Sequence, residues 1–290
     1  MKKYFSLVLF AHSIFALPFA MIGFFLGVTT TDSPFRWEKL LLVLLCMVFA
    51  RNSAMAFNRY LDRNIDAKNP RTKMRDIPAG KVSANEALIF VIINCVLFIV
   101  STFFINSLCF YLSPVALFVV LFYSYTKRFT ALCHLVLGLG LSLAPIGAYI
   151  AVTGHFALVP VLYSFAVLFW VSGFDIIYAL QDEDFDREEN LHSIPSALGI
   201  KSALNVSVGL HIFSAACVIA PIFLMPHTFS WIYYIGVVFF CFALIYQHLL
   251  VKPTDISKVN KAFATTNGMA SVVFALCFLA DAFFRSGFLG

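Results

Sequence analysis

Charge is what this sequence has least of: Asp, Glu, Lys and Arg make up 12% of its 290 residues, while 61% are apolar. A soluble domain carries roughly a quarter charged residues, so the shortage excludes a soluble globular fold and identifies an integral membrane protein. The formal net charge is only +5, too small for a nucleic-acid-binding surface and better explained by loop bias in a membrane protein. The seven cysteines form no CxxC or Cys/His pattern, which excludes a zinc or dithiol site and leaves them as small packing residues in apolar runs. The histidines (His12, His134, His155, His192, His211, His227, His248) are scattered without metal spacing and read as packing or interface residues. A Ser/His/Asp arrangement, a glycine-rich phosphate loop and a redox motif are all missing. There is no Arg/Ser-rich transit peptide either, so a bacterial inner membrane is expected.

Apolar runs are abundant. They fall at about 5–28, 40–61, 86–106, 110–126, 132–153, 158–180, 203–224, 231–250 and 262–284, each near the roughly 20 residues that cross a bilayer as a helix. The reading is an all-α bundle of about nine transmembrane helices, one domain over residues 1–290. The first run lacks a small-x-small cleavage site and is taken as a span, not a signal peptide. If direction alternates, fifteen basic residues, from Lys2 and Lys3 to Lys258 and Lys261, share one side, against Arg36, Lys39 and Arg285 on the other. The positive-inside rule makes the first side, and with it the N-terminus, cytoplasmic. A short repeat, Ile77-Pro78-Ala79-Gly80-Lys81 and Ile194-Pro195-Ser196-Ala197-Leu198-Gly199-Ile200-Lys201, hints at two related halves with a site between them.

Ten of the fifteen acidic residues lie in two places, around 62–76 and 175–189. Asn58, Asp62 and Asp66 recur every fourth residue and fall on one helical face; Asp175, Tyr178, Asp182 and Asp186 repeat that geometry. Two facing carboxylate stripes repel unless something positive lies between them, and Asp and Asn oxygens suit Mg²⁺. Such a site takes its remaining oxygens from a substrate phosphate, here a diphosphate. Arg63, Arg71, Arg75, Lys127 and Arg128 supply charge to neutralise it. The bland alternative is a solvated, salt-bridged loop. Asp175 speaks against that, because it lies in the apolar run Phe169-Trp170-Val171-Ser172-Gly173-Phe174, where a charge costs about 2.5–3.5 kcal/mol. Arg51, nearly two turns below Asn58, is equally expensive; it either pairs with a buried carboxylate such as Asp175 or binds an anionic co-substrate.

The Asn58-Asp62-Asp66 motif, Arg71 to Arg75, Tyr125-Thr126-Lys127-Arg128, and Gly173-Phe174-Asp175 through Tyr178 to Asp182 and Asp186 resemble the UbiA superfamily of intramembrane prenyltransferases. Within it they are most similar to the 4-hydroxybenzoate polyprenyltransferase branch. The resemblance covers nearly the whole chain. It implies that Mg²⁺ on the two motifs binds a polyprenyl diphosphate, whose allylic group alkylates a small aromatic acceptor. By position, Asn58, Asp62, Asp66, Asp182 and Asp186 would hold metal, with the four aspartates essential to catalysis. Arg71, Arg75, Lys127, Arg128 and Tyr178 would face the diphosphate, and Arg51 and Asp175 the acceptor. Many members have Asn-Asp where this chain has Asn58-Arg59, so both 4-hydroxybenzoate, in ubiquinone synthesis, and a dihydroxynaphthoate, in menaquinone synthesis, stay open as acceptors. A transporter is the alternative from another class, since intramembrane charges also line transport paths; the carboxylates gather toward one membrane face, which argues against it.

Overall fold

In a computed structural model the protein is described over residues 15–31 and 33–286, the Ser286 side chain excepted. Among the described residues, one shorter helix, α1 (Leu17–Thr30), is followed by eight long ones: α2 (Trp37–Leu61), α3 (Ala84–Ile105), α4 (Ser107–Thr126), α5 (Cys133–Thr153), α6 (Leu158–Ala179), α7 (Ile194–Leu224), α8 (Trp231–Leu250) and α9 (Asn267–Ser286). Eight, α2 through α9, are long and apolar enough to cross a membrane. The 14 residues of α1 are apolar but shorter than a span. The expected first span begins at residue 5, and its start, with His12, Lys2, Lys3 and the N-terminus, lies outside the described residues.

Local chemistry sets the helix ends. Ser83 and Glu86 form a reciprocal capping box that starts α3. Asn106 breaks the chain in extended conformation; its amide oxygen caps α4 through the Cys109 N–H at 2.8 Å, while its NH₂ donates to the Ile150 carbonyl at 2.9 Å. A second capping box, Ser193 with Ser196, starts α7 nine residues ahead of the apolar run expected from 203. The sequence pattern misses this turn because Gly199 interrupts it: its φ of 77° is left-handed, a conformation glycine enters without a Cβ penalty. Gly80, in the other copy of the repeat, has φ 71°. The two copies nevertheless differ, the first being a run of turns and the second a kinked helix start.

Successive helices pack as neighbours from α2 to α9, and α1 lies against α5 and α9. The core is aromatic: Phe19, Tyr163, Trp170, Tyr233, Phe240 and Phe274 are fully buried. The Trp170 indole N–H donates to Asn267 Oδ1 at 2.8 Å, satisfying the polar atom that burying a tryptophan brings along. The outer faces expose Ile89, Phe103, Phe118, Phe213 and Val238, as a lipid-facing surface should. At one end the 62–83, 127–132, 180–193 and 251–260 segments meet, through Lys68–Glu189, the His192 N–H to Lys127 carbonyl bond, and the packing of Val259 on Leu180 and Ile194.

Close approach of α7 to α6 depends on Gly173, where an added Cβ would lie 2.3 Å from His211 Nε2. Gly173→Ala is expected to push these helices apart and cost about 1–3 kcal/mol, read as a lowered Tm of the detergent-solubilised protein. Gly147→Ala is the control, because a Cβ there meets nothing within 4 Å.

Candidate active site

The first acidic stripe is built where α2 ends. Asp62 leaves the helix for a single residue (φ −87°, ψ 4°), and a six-residue helix, Arg63–Lys68, resumes at once. The register survives the break, since Asp62 N–H bonds the Asn58 carbonyl at 2.9 Å and Asp66 N–H bonds the Asp62 carbonyl at 2.8 Å. Asn58 Nδ2 donates to Asp62 Oδ2 at 3.1 Å. Asp62 is 2% exposed and Asp66 3%, so the first stripe is not solvated.

Buried carboxylates need positive partners, and the protein provides them. Lys127 Nζ lies 3.0 Å from Asp62 Oδ2 and Arg128 2.8 Å from Oδ1; Arg128 also bonds the Leu61 and Ser124 carbonyls. Arg75 holds Asp66 Oδ1 at 2.7 Å, while Asp66 Oδ2 is buried without a hydrogen-bond partner among the described residues.

The second stripe forms where α6 tightens into a 3₁₀ turn, Leu180–Asp182, followed by the short helix Glu183–Glu188. Arg71 reaches across from the first stripe's loop and grips Asp182 through both Nε and a terminal nitrogen, and its other terminal nitrogen donates to Tyr178 Oη at 3.0 Å. Asn69 Nδ2 adds a 3.1 Å bond to Asp182 Oδ1. Burial works against the Arg71 charge, but its bonds to Asp182 outweigh that and move the guanidinium pKa up. Asp186 interacts with Ser193 and lies in electrostatic range of Lys127 and Asp182. The loop after α2 therefore stitches the two stripes together, and Asn58, Asp62, Asp66, Asp182, Asp186, Arg71, Arg75, Lys127, Arg128 and Tyr178 occupy one neighbourhood. Arg63 is turned aside, bonding the Tyr60 carbonyl at 2.7 Å and lying over the Tyr60 ring.

The chain from residue 16 to residue 277 matches the model of the UbiA prenyltransferase family. It belongs to that family. Among curated relatives, it is 30% identical to the 4-hydroxybenzoate octaprenyltransferase of Tolumonas auensis over 243 residues, 83% of this chain and 84% of the relative. It is also 30% identical over 250 residues to the enzyme of the same name from Nitrosomonas europaea, covering 85% and 83%. Among solved structures, the apo UbiA homolog from Aeropyrum pernix K1 superposes with a TM-score of 0.80 at 30% identity, over 95% of this chain and 98% of that one. A UbiA homolog from Archaeoglobus fulgidus bound to GPP and Mg²⁺ shares the fold, with a TM-score of 0.75 at 22% identity over 97% and 99%. This chain is thus a multi-pass membrane prenyltransferase of the UbiA family.

Deeper in the UbiA bundle sit residues of the expected acceptor side. Arg51 lies in the interior of α2 with its Nε buried and unpartnered among the described residues. It does not take Asp175, one of the two roles open to it from the sequence. Asp175 instead binds His134 of α5, Nδ1 to Oδ2 at 2.7 Å. The His134 Nε2 accepts the Ile194 N–H at 3.3 Å, so Nδ1 carries the proton and donates to the carboxylate. Tyr123 of α4 lies in electrostatic range of Arg51, Asp62 and Asp175. Sequence reasoning missed His134 because its partner is 41 residues away on another helix, and no spacing rule connects them. It also treated Arg59 only as a departure from the motif; Arg59 is buried, 9% exposed, in electrostatic contact with Asp66, Asp76 and Tyr123.

No group of three His, Cys, Asp or Glu side chains among the described residues is gathered closely enough to hold a metal alone. The residue types still suit a hard cation, since Asn58, Asp62 and Asp66 carry side-chain oxygens and Asp66 Oδ2 is buried with no hydrogen-bond partner among the described residues.

Proposed function

We propose that this UbiA-family enzyme transfers a polyprenyl group from polyprenyl diphosphate to 4-hydroxybenzoate, forming the 3-polyprenyl product of ubiquinone synthesis in a bacterial inner membrane. The observation that carries this is the meeting of two carboxylate stripes, Arg75, Lys127 and Arg128 pairing with the buried first stripe and Arg71 crossing to Asp182 of the second, each cation only a quarter to a third exposed: Arg75 26%, Lys127 29%, Arg128 30% and Arg71 32%. The names of the curated relatives support the acceptor, and the Archaeoglobus homolog with bound GPP and Mg²⁺ supports the donor and metal.

Asn58, Asp62 and Asp66 on one side and Asp182 and Asp186 on the other would hold Mg²⁺, which when bound neutralises the diphosphate and favours its departure. The protein's own residues do the rest. Arg71, Arg75, Lys127 and Arg128 hold carboxylates while no diphosphate is present, and each has enough freedom to turn to a phosphate oxygen. Tyr178, already bonded to Arg71, follows it. The allylic C–O bond breaks with its electron pair leaving on the diphosphate, a ring carbon ortho to the acceptor hydroxyl bonds the allylic carbon, and that ring carbon's proton passes to the released diphosphate. Apolar walls keep water from the allylic cation. Arg51 anchors the acceptor carboxylate. The Asp175 oxygen not bound to His134 accepts the acceptor's hydroxyl.

Purified protein given Mg²⁺, octaprenyl diphosphate and either 4-hydroxybenzoate or dihydroxynaphthoate tests this by mass spectrometry of the lipid products. Prenylated 4-hydroxybenzoate is expected. A prenylated naphthoate in its place moves the enzyme to menaquinone synthesis, and neither product, with an active relative run alongside, rejects both acceptors.

A further inference from the structure

One polar pair remains outside the site. His211 of α7 and His248 of α8 are hydrogen-bonded, Nδ1 to Nε2, at 2.7 Å, and His211 Nε2 lies 3.3 Å from the Trp170 carbonyl of α6. A carbonyl only accepts, so His211 Nε2 carries the proton. With both rings uncharged, His211 Nδ1 is then the acceptor, His248 Nε2 the donor, and His248 Nδ1 keeps a free lone pair. No residue among those described bonds that nitrogen, and His248 is only partly buried.

The pair forms the polar end of a groove of about 420 Å³ between α7 and α8, a size within the range of about 300–1,000 Å³ seen for ligand sites. Its walls are apolar: Val208, Ile212, Ala215, Ile219, Cys241 and Ile245. Ile212 and Ile245 are exposed on the outer face, so the groove opens sideways into lipid. From Val208 to Ile219 it runs about 16 Å along the helix axis, with His248 two residues from the end of α8 that meets the active-site loops. A lone acceptor over an otherwise apolar trough is poorly served by acyl chains, which offer it no donor.

We propose that this groove is a second lipid site, which takes a polyprenylated phenol: the hydroxyl donates to His248 Nδ1 and the isoprenoid tail lies along the trough. The chemistry of the trough requires a hydrogen-bond donor at the head, at the level of the active-site loops, and a single flexible apolar chain behind it. Naming a prenylated phenol rests on the aromatic prenyl transfer proposed above, whose product has that form. The far end of the pair bonds Trp170, and His211 packs on Gly173, two residues before Asp175. The pair thus connects the groove to the helix that leads into the second acidic stripe.

The test is photolabelling in phosphatidylcholine nanodiscs with a farnesylated phenol bearing a diazirine on its tail, without Mg²⁺ or diphosphate, and peptide mapping of the adducts. Adducts within 208–219 and 241–248 are expected. Unlabelled farnesylated phenol should suppress them, and its methyl ether, which has no donor, should compete about tenfold less well, the equivalent of one hydrogen bond. His248→Phe should cut labelling by a similar factor. Ile212→Trp, which fills the trough from the lipid side and leaves the bundle interior untouched, should abolish it. Equal competition by the ether, adducts confined to other peptides, or full labelling in both variants would overturn the proposal. Because no turnover is involved, labelling at the groove with no product in the transfer assay rejects the proposed acceptors and leaves the site. A product without groove labelling does the reverse.

Discussion

Asp62→Ala and Asp182→Ala should each reduce prenyl transfer by about 10³-fold or more, the scale of several kcal/mol of lost transition-state stabilisation, while membrane insertion and the folded helix content stay unchanged. The two positions fail for different local reasons. Asp62 is nearly fully buried and is held by Lys127, Arg128 and Asn58. Its loss removes a central carboxylate of the first stripe and releases two cations from their resting partner. Those cations are about 30% exposed and can turn to water, so the fold is spared the cost of about 3–5 kcal/mol that stranding a fully buried charge carries. Asp182 is the anchor by which Arg71 and Asn69 tie the loop after α2 to α6; its loss removes a carboxylate and also loosens that bridge. Activity assays with saturating substrates, paired with circular dichroism and size-exclusion profiles, separate chemistry from folding. Normal turnover in either variant would remove the two-stripe site as the seat of transfer. Asp62→Asn, which keeps the shape and loses the charge, should be nearly as inactive; substantial activity there would assign Asp62 a packing role.

Arg51→Ala should raise the KM for the aromatic acceptor by about 10–100-fold, the equivalent of a charge-assisted hydrogen bond worth about 1.5–3 kcal/mol, and leave the KM for the prenyl diphosphate unchanged. The structural ground is the buried Nε within α2, which has no hydrogen-bond partner among the described residues. A guanidinium donor left unsatisfied in an apolar helix interior is destabilising, so it needs a reason, and a bound carboxylate supplies one. The same feature gives a second, opposite readout: removing Arg51 should leave the thermal stability of the substrate-free protein unchanged or raise it. A residue kept for packing would behave otherwise, with a lower Tm and no separation of the two KM values. Arg51→Lys should recover little, because a lysine offers a point charge where a planar fork fits a carboxylate.

Most of the motif chemistry was legible along the chain because it is local. Asn58, Asp62 and Asp66 share a face by helical periodicity alone, and the break at Asp62 does not disturb it, since the i to i+4 hydrogen bonds run through the break. Around Tyr178, Asp182 and Asp186 the backbone passes through a 3₁₀ turn, and Tyr178 and Asp182 are brought together by their shared partner Arg71. For α2 through α9 the hydrophobic runs gave the span ends to a few residues, except at α7, where a capping box and a left-handed Gly199 extend the helix into sequence that looks like a loop. What failed was pairing between distant helices. The sequence offered Asp175 to Arg51, but His134 takes it. Histidines read as isolated proved to include a buried dyad with Asp175 and a hydrogen-bonded pair between α7 and α8.

By itself, then, the sequence determined that this is a helical membrane protein with two acidic stripes and a basic end, because hydropathy, helical period and charge asymmetry are properties of contiguous residues. Only the tertiary structure decided which cation holds which carboxylate, that Arg71 bridges the stripes through Asp182, and that Arg51 Nε and one Asp66 oxygen have no hydrogen-bond partner among the described residues. Those outcomes depend on how helices far apart in the chain are brought side by side. In an apolar bundle, the few polar groups compete for one another across distances that no local pattern records.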